Sequence, residues 1–101
     1  MATLKQTVLK VVSEYAKDGL NCASYLMQND DGSLLTVVDI EDSPKVHDMD
    51  VSLVVRIIGE KIIVERDLNN KPAVDALVQA GIDRNKIVLA YAGEPIPEAT
   101  L

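Results

Sequence analysis

The chain has 101 residues, a formal net charge of −6 and one cysteine, Cys22. This length favours a single domain over residues 1–101, and one cysteine excludes an internal disulfide and is typical of a reducing cytoplasm. The acidic balance, without any run of Lys or Arg, argues against direct binding to nucleic acid, because that binding draws most of its affinity from basic side chains on phosphates. No apolar run approaches the roughly 20 residues that span a bilayer, so we predict a cytoplasmic protein with no membrane segment.

The N-terminal segment predicts a helix that packs on a sheet. Thr3 is a good N-cap, and an apolar stripe at helical spacing runs through residues 4–17 until Gly19 ends the helix. The stripe consists of Leu4, Val8, Val11, Val12 and Tyr15. Because the chain has no Phe or Trp, its core must be filled mainly by aliphatic side chains, and the β-branched ones favour strands.

Five strands are predicted after this helix, from apolar and β-branched runs bounded by turn residues. They comprise residues 22–28, 34–40, 51–58, 61–66 and 87–91. The second and third are apolar on both sides, which is typical of central strands. Asp39 lies within the second strand, either as an outward-facing side chain on the solvent side, or as a partner contact or a buried, hydrogen-bonded carboxylate. Residues 41–50 are polar and contain Pro44, so they predict a loop.

The third and fourth strands are joined by Gly59 and Glu60, which suit a type II′ hairpin turn. A second helix follows, with Asn69 as its N-cap and Gly81 at its end. Its predicted buried stripe consists of Val74, Leu77 and Val78. The resulting fold class is α+β, with the order α-β-β-β-β-α-β, a largely antiparallel sheet and two helices packed on one face. The tail, residues 92–101, is predicted to be extended or disordered.

The polar loop at residues 41–50 is the main candidate site that the residues themselves suggest. It contains the single histidine, His47, and histidine with carboxylates can ligate a divalent metal, but the spacing matches no metal signature. Nucleotide-binding, nucleophile-elbow and zinc-protease motifs do not occur in the sequence, so we predict no catalytic, cofactor-binding or metal-binding residue and no enzyme. The acidic residues predicted to face a protein partner are Glu41, Asp42, Asp48 and Asp50.

Several short stretches resemble the fdxN-element excision controlling factor family, the XisI-like proteins of cyanobacteria. They are Glu14–Tyr15–Ala16, GEKI at 59–62 followed by Arg66–Asp67, Leu77–Val78, Ala80–Gly81–Ile82, and KIVLAY at 86–91. These positions form a turn, a helix end and core strands, and none is a catalytic group. Family members usually carry aromatic residues in the central strands and an aromatic segment after the last strand. In this chain the central strands carry aliphatic residues, and the segment after the last strand ends in PIPEATL, without an aromatic residue. These differences make it a divergent member.

The resemblance implies an accessory role in excising a DNA element during heterocyst differentiation. Family members usually act beside a companion protein, XisH, which looks nuclease-like. Because this chain is acidic, we expect the role to run through protein contacts while another protein handles the DNA. The alternative from the residues alone is a small-ligand or metal-binding module built on the acidic loop 41–50.

Self-association is also predicted. Strands that are apolar on both sides leave an apolar second face, and an open sheet leaves edges that need cover. We therefore expect a homo-oligomer, most simply a dimer, formed through the sheet edges or the second sheet face.

Overall fold

A computed structural model describes residues 2–97 as one five-stranded sheet with two helices. The elements are α1 (Leu4–Ser13), β1 (Cys22–Gln28), β2 (Leu34–Asp42), β3 (His47–Ile58), β4 (Lys61–Asp67), α2 (Ala73–Gln79) and β5 (Ile87–Leu89), with 3₁₀ turns at Arg84–Lys86 and Ala90–Ala92. The spatial order is β1-β2-β3-β4-β5, antiparallel from β1 to β4 and parallel between β4 and β5. The predicted α+β class and its element order are confirmed.

Both helices cover the same face of the sheet, as predicted. In antiparallel register Leu35 lies opposite Val55 and Val37 opposite Leu53, so these side chains point together toward the helices. The buried cluster comprises Val8, Val11, Val12, Leu35, Val37, Leu53, Val55, Ile57, Ile62, Val64, Ala73, Leu77, Ile82 and Ile87. We call this side of the sheet the helix face and the other side the open face.

The first helix starts as predicted and ends earlier. The Thr3 side chain accepts a hydrogen bond from the Gln6 backbone N–H, and the Gln6 side chain accepts one from the Thr3 N–H, which completes a capping box. The helix ends at Ser13 instead of residue 17, because the next amides bond three residues back: Tyr15 N–H to Val12 and Ala16 N–H to Ser13.

The second helix is capped by Asp67, the last residue of β4, and not by the predicted N-cap. Its N-cap is Pro72, which has no side-chain cap, and the Ala73 N–H instead donates to Asp67 Oδ2 at 2.6 Å. The predicted N-cap Asn69 donates its own backbone and side-chain N–H groups to Asp67 Oδ1. Asp67 fills the capping role because it ends β4 on the helix face, directly beneath the start of α2.

The end of the second helix agrees with the prediction, and its buried stripe agrees except at Val78. Gly81 has a φ of +99° and donates to the Val78 carbonyl, and the Ile82 N–H donates to the Leu77 carbonyl, which together form a Schellman ending. Leu77 is fully buried and Val78 is 43% exposed. Ala73 is buried beside Leu77, and Val74 is half-buried against the core, so Val78 is the one member of the predicted stripe that faces outward.

The predicted loop at residues 41–50 is mostly sheet. β2 continues to Asp42 and β3 begins at His47, so only residues 43–46 connect the strands. Pro44 lies in this connection, where the Ser43 N–H donates to the Val46 carbonyl at 2.8 Å. We call residues 39–50 the hairpin arm. A β-bulge at its base leaves Ser52 without a partner in β2.

The tail leaves the sheet through the 3₁₀ turn at Ala90–Ala92. Glu94 is then held by Arg84 and by the Leu89 N–H. The prediction that the tail is extended or disordered covers residues 92–101; its last four residues lie outside the described part of the chain, and it stays a prediction. Across residues 2–97, no helix is both long enough and apolar enough to cross a membrane.

Candidate partner-binding surface

The hairpin arm has one acidic face. Asp39 lies opposite Asp50 and Glu41 lies opposite Asp48 in the β2–β3 register, and alternate residues of a strand share a face. All four carboxylates therefore point to the helix-face side of the sheet, beyond the reach of the helices. Like charges directly opposite one another across two strands destabilise a sheet. The arm thus concentrates negative charge at a cost in stability.

The structure brings together three of the four predicted partner-facing residues. Glu41, Asp48 and Asp50 lie on the acidic face, joined by Asp39. Asp42 lies on the opposite side of the arm, where its Oδ1 is 3.6 Å from His47 Nδ1. Both of these side chains are highly exposed, so this contact contributes little to stability.

Hydrogen bonds fix the base of the acidic face. The Ser24 hydroxyl donates to Asp39 Oδ1 at 2.5 Å, and Asp39 is half-buried. Asp39 is therefore a hydrogen-bonded carboxylate and not a freely solvent-facing side chain. Arg66 Nη2 donates to Asp50 Oδ1 at 3.3 Å and is the one cation that pairs with this face within the described residues. Asp48 also accepts the Met49 N–H and Asp50 the Val51 N–H.

The open face carries apolar side chains, including some on the side of the arm opposite the acidic face. Alternation along β1, β2 and β3 places a row of apolar side chains there: Ala23, Tyr25, Met27, Val38, Ile40, Met49, Val51 and Val54. Tyr25, Met27 and Met49 are 52–66% exposed. Further along this face, β3 and β4 carry an Arg56–Glu65 ion pair at 2.6 Å. The arm therefore presents an acidic side and an apolar side.

The metal-binding alternative has no support in this geometry. Among residues 2–97, no three His, Cys, Asp or Glu side chains converge on a point that would hold an ion. His47 lies on the opposite side of the arm from Glu41 and Asp48, because neighbouring residues of a strand point to opposite faces.

Sequence reasoning missed Asp39 as a member of the acidic face. The signal was present, since acidic residues at 39 and 41 and again at 48 and 50 have the two-residue period of one strand face. Assigning residues 41–50 to a loop hid this pattern.

Comparison with known proteins identifies the family. The family model described as XisI protein matches residues 1–100. The chain belongs to the XisI family. Curated proteins, by contrast, include none that matches the sequence. The match to the family model confirms the resemblance that the short sequence stretches indicated.

Two solved structures share the fold of this XisI-family chain. One is a XisI-like protein from Anabaena variabilis, with 18% identity and a TM-score of 0.73 over 86% of this chain and 85% of that one. Another is the fdxN element excision controlling factor XisI from the same organism, with 19% identity and a TM-score of 0.67 over 96% and 94% of the two chains. At these identities the comparison concerns the fold alone.

Proposed function

We propose that this chain is a cytoplasmic accessory factor in the control of DNA-element excision, and that it acts without catalysis, by binding a protein. Membership of the XisI family supports the pathway, together with a fold neighbour described as an fdxN element excision controlling factor. The observation that carries the mechanism is the acidic face of the hairpin arm.

The acidic face is suited to a partner with a basic surface. Its two like-charge pairs, Asp39 with Asp50 and Glu41 with Asp48, destabilise the free arm, and a basic partner would relieve that repulsion. Complementary charge also speeds and orients the encounter of two proteins. The companion that the family resemblance implies, a XisH-like protein, is the candidate partner.

Direct binding to DNA is a weaker explanation for this chain. All three arginines, Arg56, Arg66 and Arg84, already pair with carboxylates. The Lys5 and Lys61 ammonium groups donate to backbone carbonyls, and Lys71 donates to a glutamine side chain. We therefore expect the companion, and not this chain, to contact the DNA.

A charge-neutralising double variant tests the proposal. Glu41→Gln with Asp48→Asn removes one like-charge pair and keeps the shape of the arm. We expect its affinity for a XisH-like companion, measured by calorimetry at about 50 mM salt, to fall by about tenfold or more, and its salt dependence to flatten. Its own unfolding free energy should stay equal or rise by a few tenths of a kcal/mol, which separates lost binding from lost folding.

The matched control carries the same change of charge elsewhere. Glu60→Gln with Asp83→Asn neutralises two exposed carboxylates outside the arm and should bind the companion as the unchanged protein does. Equal loss of binding in both double variants would show that net charge alone causes the loss, and it would refute the role of the arm.

A further inference from the structure

Side chains close the outer edge of β5. At the outer edge of β5, the Leu89 N–H donates to Glu94 Oε1 at 2.8 Å, and Arg84 Nη1 donates to the Ile87 carbonyl at 2.7 Å. Arg84 and Glu94 also pair with each other at 3.1 Å. No backbone group of this short strand is left to pair with another chain's strand.

Side chains also bond part of the outer edge of the hairpin arm. Arg66 Nε donates to the Val51 carbonyl, so the backbone of Val51 faces away from β2. Its N–H donates to Asp50, and the Met49 N–H donates to Asp48. Charged side chains that occupy an edge in this manner are a common protection against pairing with a further strand.

The edge of β1 is closed over only its first half. Cys22 exchanges two backbone hydrogen bonds with Gly19, and the Ser24 N–H donates to Asp18 Oδ1 at 3.0 Å. These bonds show that the backbones of the even-numbered residues face outward. The N–H and C=O groups of Leu26 and Gln28 therefore also face outward, and within residues 2–97 they have no hydrogen-bond partner.

The open half of β1 has no feature that prevents strand pairing. Its sequence, CASYLMQ, contains no charged residue and no proline, whereas β2, β3 and β4 all carry charges. The exposed side chains of Tyr25 and Met27 flank the edge on the open face. An uncharged edge strand with unpaired backbone and apolar flanking residues is a template for another strand.

We propose that a second copy of this chain pairs with the free edge of β1, antiparallel about a two-fold axis, so that one sheet continues through the dimer. A two-fold interface presents the same surface from both copies and must be self-complementary. The outward N–H and C=O groups of Leu26 and Gln28 meet this requirement, since Leu26 of one copy pairs with Gln28 of the other in both directions. The Tyr25 and Met27 side chains of the two copies then form one apolar patch.

The absence of charge on β1 favours a second copy over a basic partner. Each copy carries a net charge of −6, so two copies associate most easily through a strand that contributes no charge of its own. Repulsion between the remaining charges predicts that added salt strengthens the dimer. Binding through the acidic face has the opposite salt dependence, so the proposal does not depend on the proposed function.

A pair of variants at Gln28 tests the backbone pairing. Gln28→Pro removes an outward N–H without removing a bond between β1 and β2, and proline is accepted at such edge positions. Gln28→Val keeps the N–H and serves as the matched control. In sedimentation equilibrium of the isolated protein, we expect the dimer dissociation constant to rise by about tenfold or more for Gln28→Pro and to change little for Gln28→Val.

A second pair, independent of proline, distinguishes the edge from the apolar face. Met27→Glu places a charge beside the two-fold axis, whereas Met49→Glu places the same charge on the open face of the arm, away from the β1 edge; both side chains are exposed. We expect Met27→Glu to give monomers and Met49→Glu to dimerise as the unchanged chain does. Circular dichroism confirms that each variant is folded.

Three outcomes overturn the proposal: an unchanged chain that stays monomeric at high concentration and high salt, equal weakening by Met27→Glu and Met49→Glu, or a folded Met27→Glu variant that dimerises normally. No companion protein is present in these measurements. Their failure therefore leaves the proposed function standing, and failure of companion binding leaves the dimer standing.

Discussion

At the scale of single residues, Asp67 links the end of a strand to the start of a helix. One carboxyl oxygen accepts two N–H groups of Asn69, and the other accepts the Ala73 N–H at 2.6 Å. The Tyr15 hydroxyl donates to the Lys71 carbonyl in the same region and joins α1 to this connection. Burial raises the pKa of Tyr15, and the negative charge of Asp67 adds to this effect, so the phenol stays a hydrogen-bond donor at neutral pH.

Removing this carboxylate should weaken the whole domain. We expect Asp67→Ala to lower the free energy of unfolding by about 1–2 kcal/mol, the usual effect of losing a helix cap. Asp83→Ala, which removes an exposed aspartate with no side-chain cap bond, is the control and should change stability by less than about 0.5 kcal/mol. Urea unfolding measures both, and equal losses would contradict the capping role of Asp67.

At the scale of elements, β5 is a three-residue strand whose position depends on its flanking side chains. It pairs with β4 on one side, and Arg84 and Glu94 bond its backbone on the other. The hydrogen bond from the Leu89 N–H, followed by the Arg84 contact, holds the pKa of Glu94 below its ordinary value of 4.5.

The contribution of Glu94 to stability should depend on pH. A carboxyl group whose pKa is lower in the folded than in the unfolded chain stabilises the fold above the unfolded pKa, and this contribution is lost as the pH falls through the folded pKa. We expect Glu94→Gln to be less stable than the unchanged chain at pH 7, and the difference to shrink as the pH falls below 4.5 and to vanish once the pH is below the lowered pKa of the folded chain. Thermal unfolding over this pH range checks it.

The control for this prediction is Glu60→Gln. Glu60 is exposed, and its carboxylate has no hydrogen-bond partner within residues 2–97. Its variant should follow the unchanged chain at every pH. A difference between Glu94→Gln and the unchanged chain that stays constant from pH 7 to acid would show that the charge of Glu94 is irrelevant.

At the scale of the whole molecule, charge is distributed unevenly. Negative charge is concentrated on the hairpin arm, and all three arginines form ion pairs with carboxylates. Phosphate binding requires a set of basic side chains that can release counterions from the nucleic acid. This distribution is the reason to expect that the chain contacts DNA only through a partner.

A gel-shift experiment tests this expectation. At about 50 mM salt, where phosphate contacts are strongest, the isolated chain should leave duplex DNA unshifted up to micromolar concentration. A basic duplex-binding protein in the same gel is the positive control. A shift at sub-micromolar concentration by this chain alone would contradict the indirect role.

The sequence by itself determined the features that depend on neighbouring residues. The N-cap at Thr3, the positive φ at Gly59 and Gly81, and the extent of β1 all follow from local preferences of the backbone and of short polar side chains. The apolar stripe of α1 also appeared correctly, since helical periodicity is a local property.

Only the tertiary structure decided the features that depend on contacts distant along the chain. The extension of both strands into the arm depends on their pairing with each other, and pairing is not visible in either segment alone. The capping of α2 by Asp67 requires that β4 end beneath that helix, and it depends on residues six positions apart in the chain. The free edge of β1 exists because strand order puts β1 outermost, which local preference does not specify.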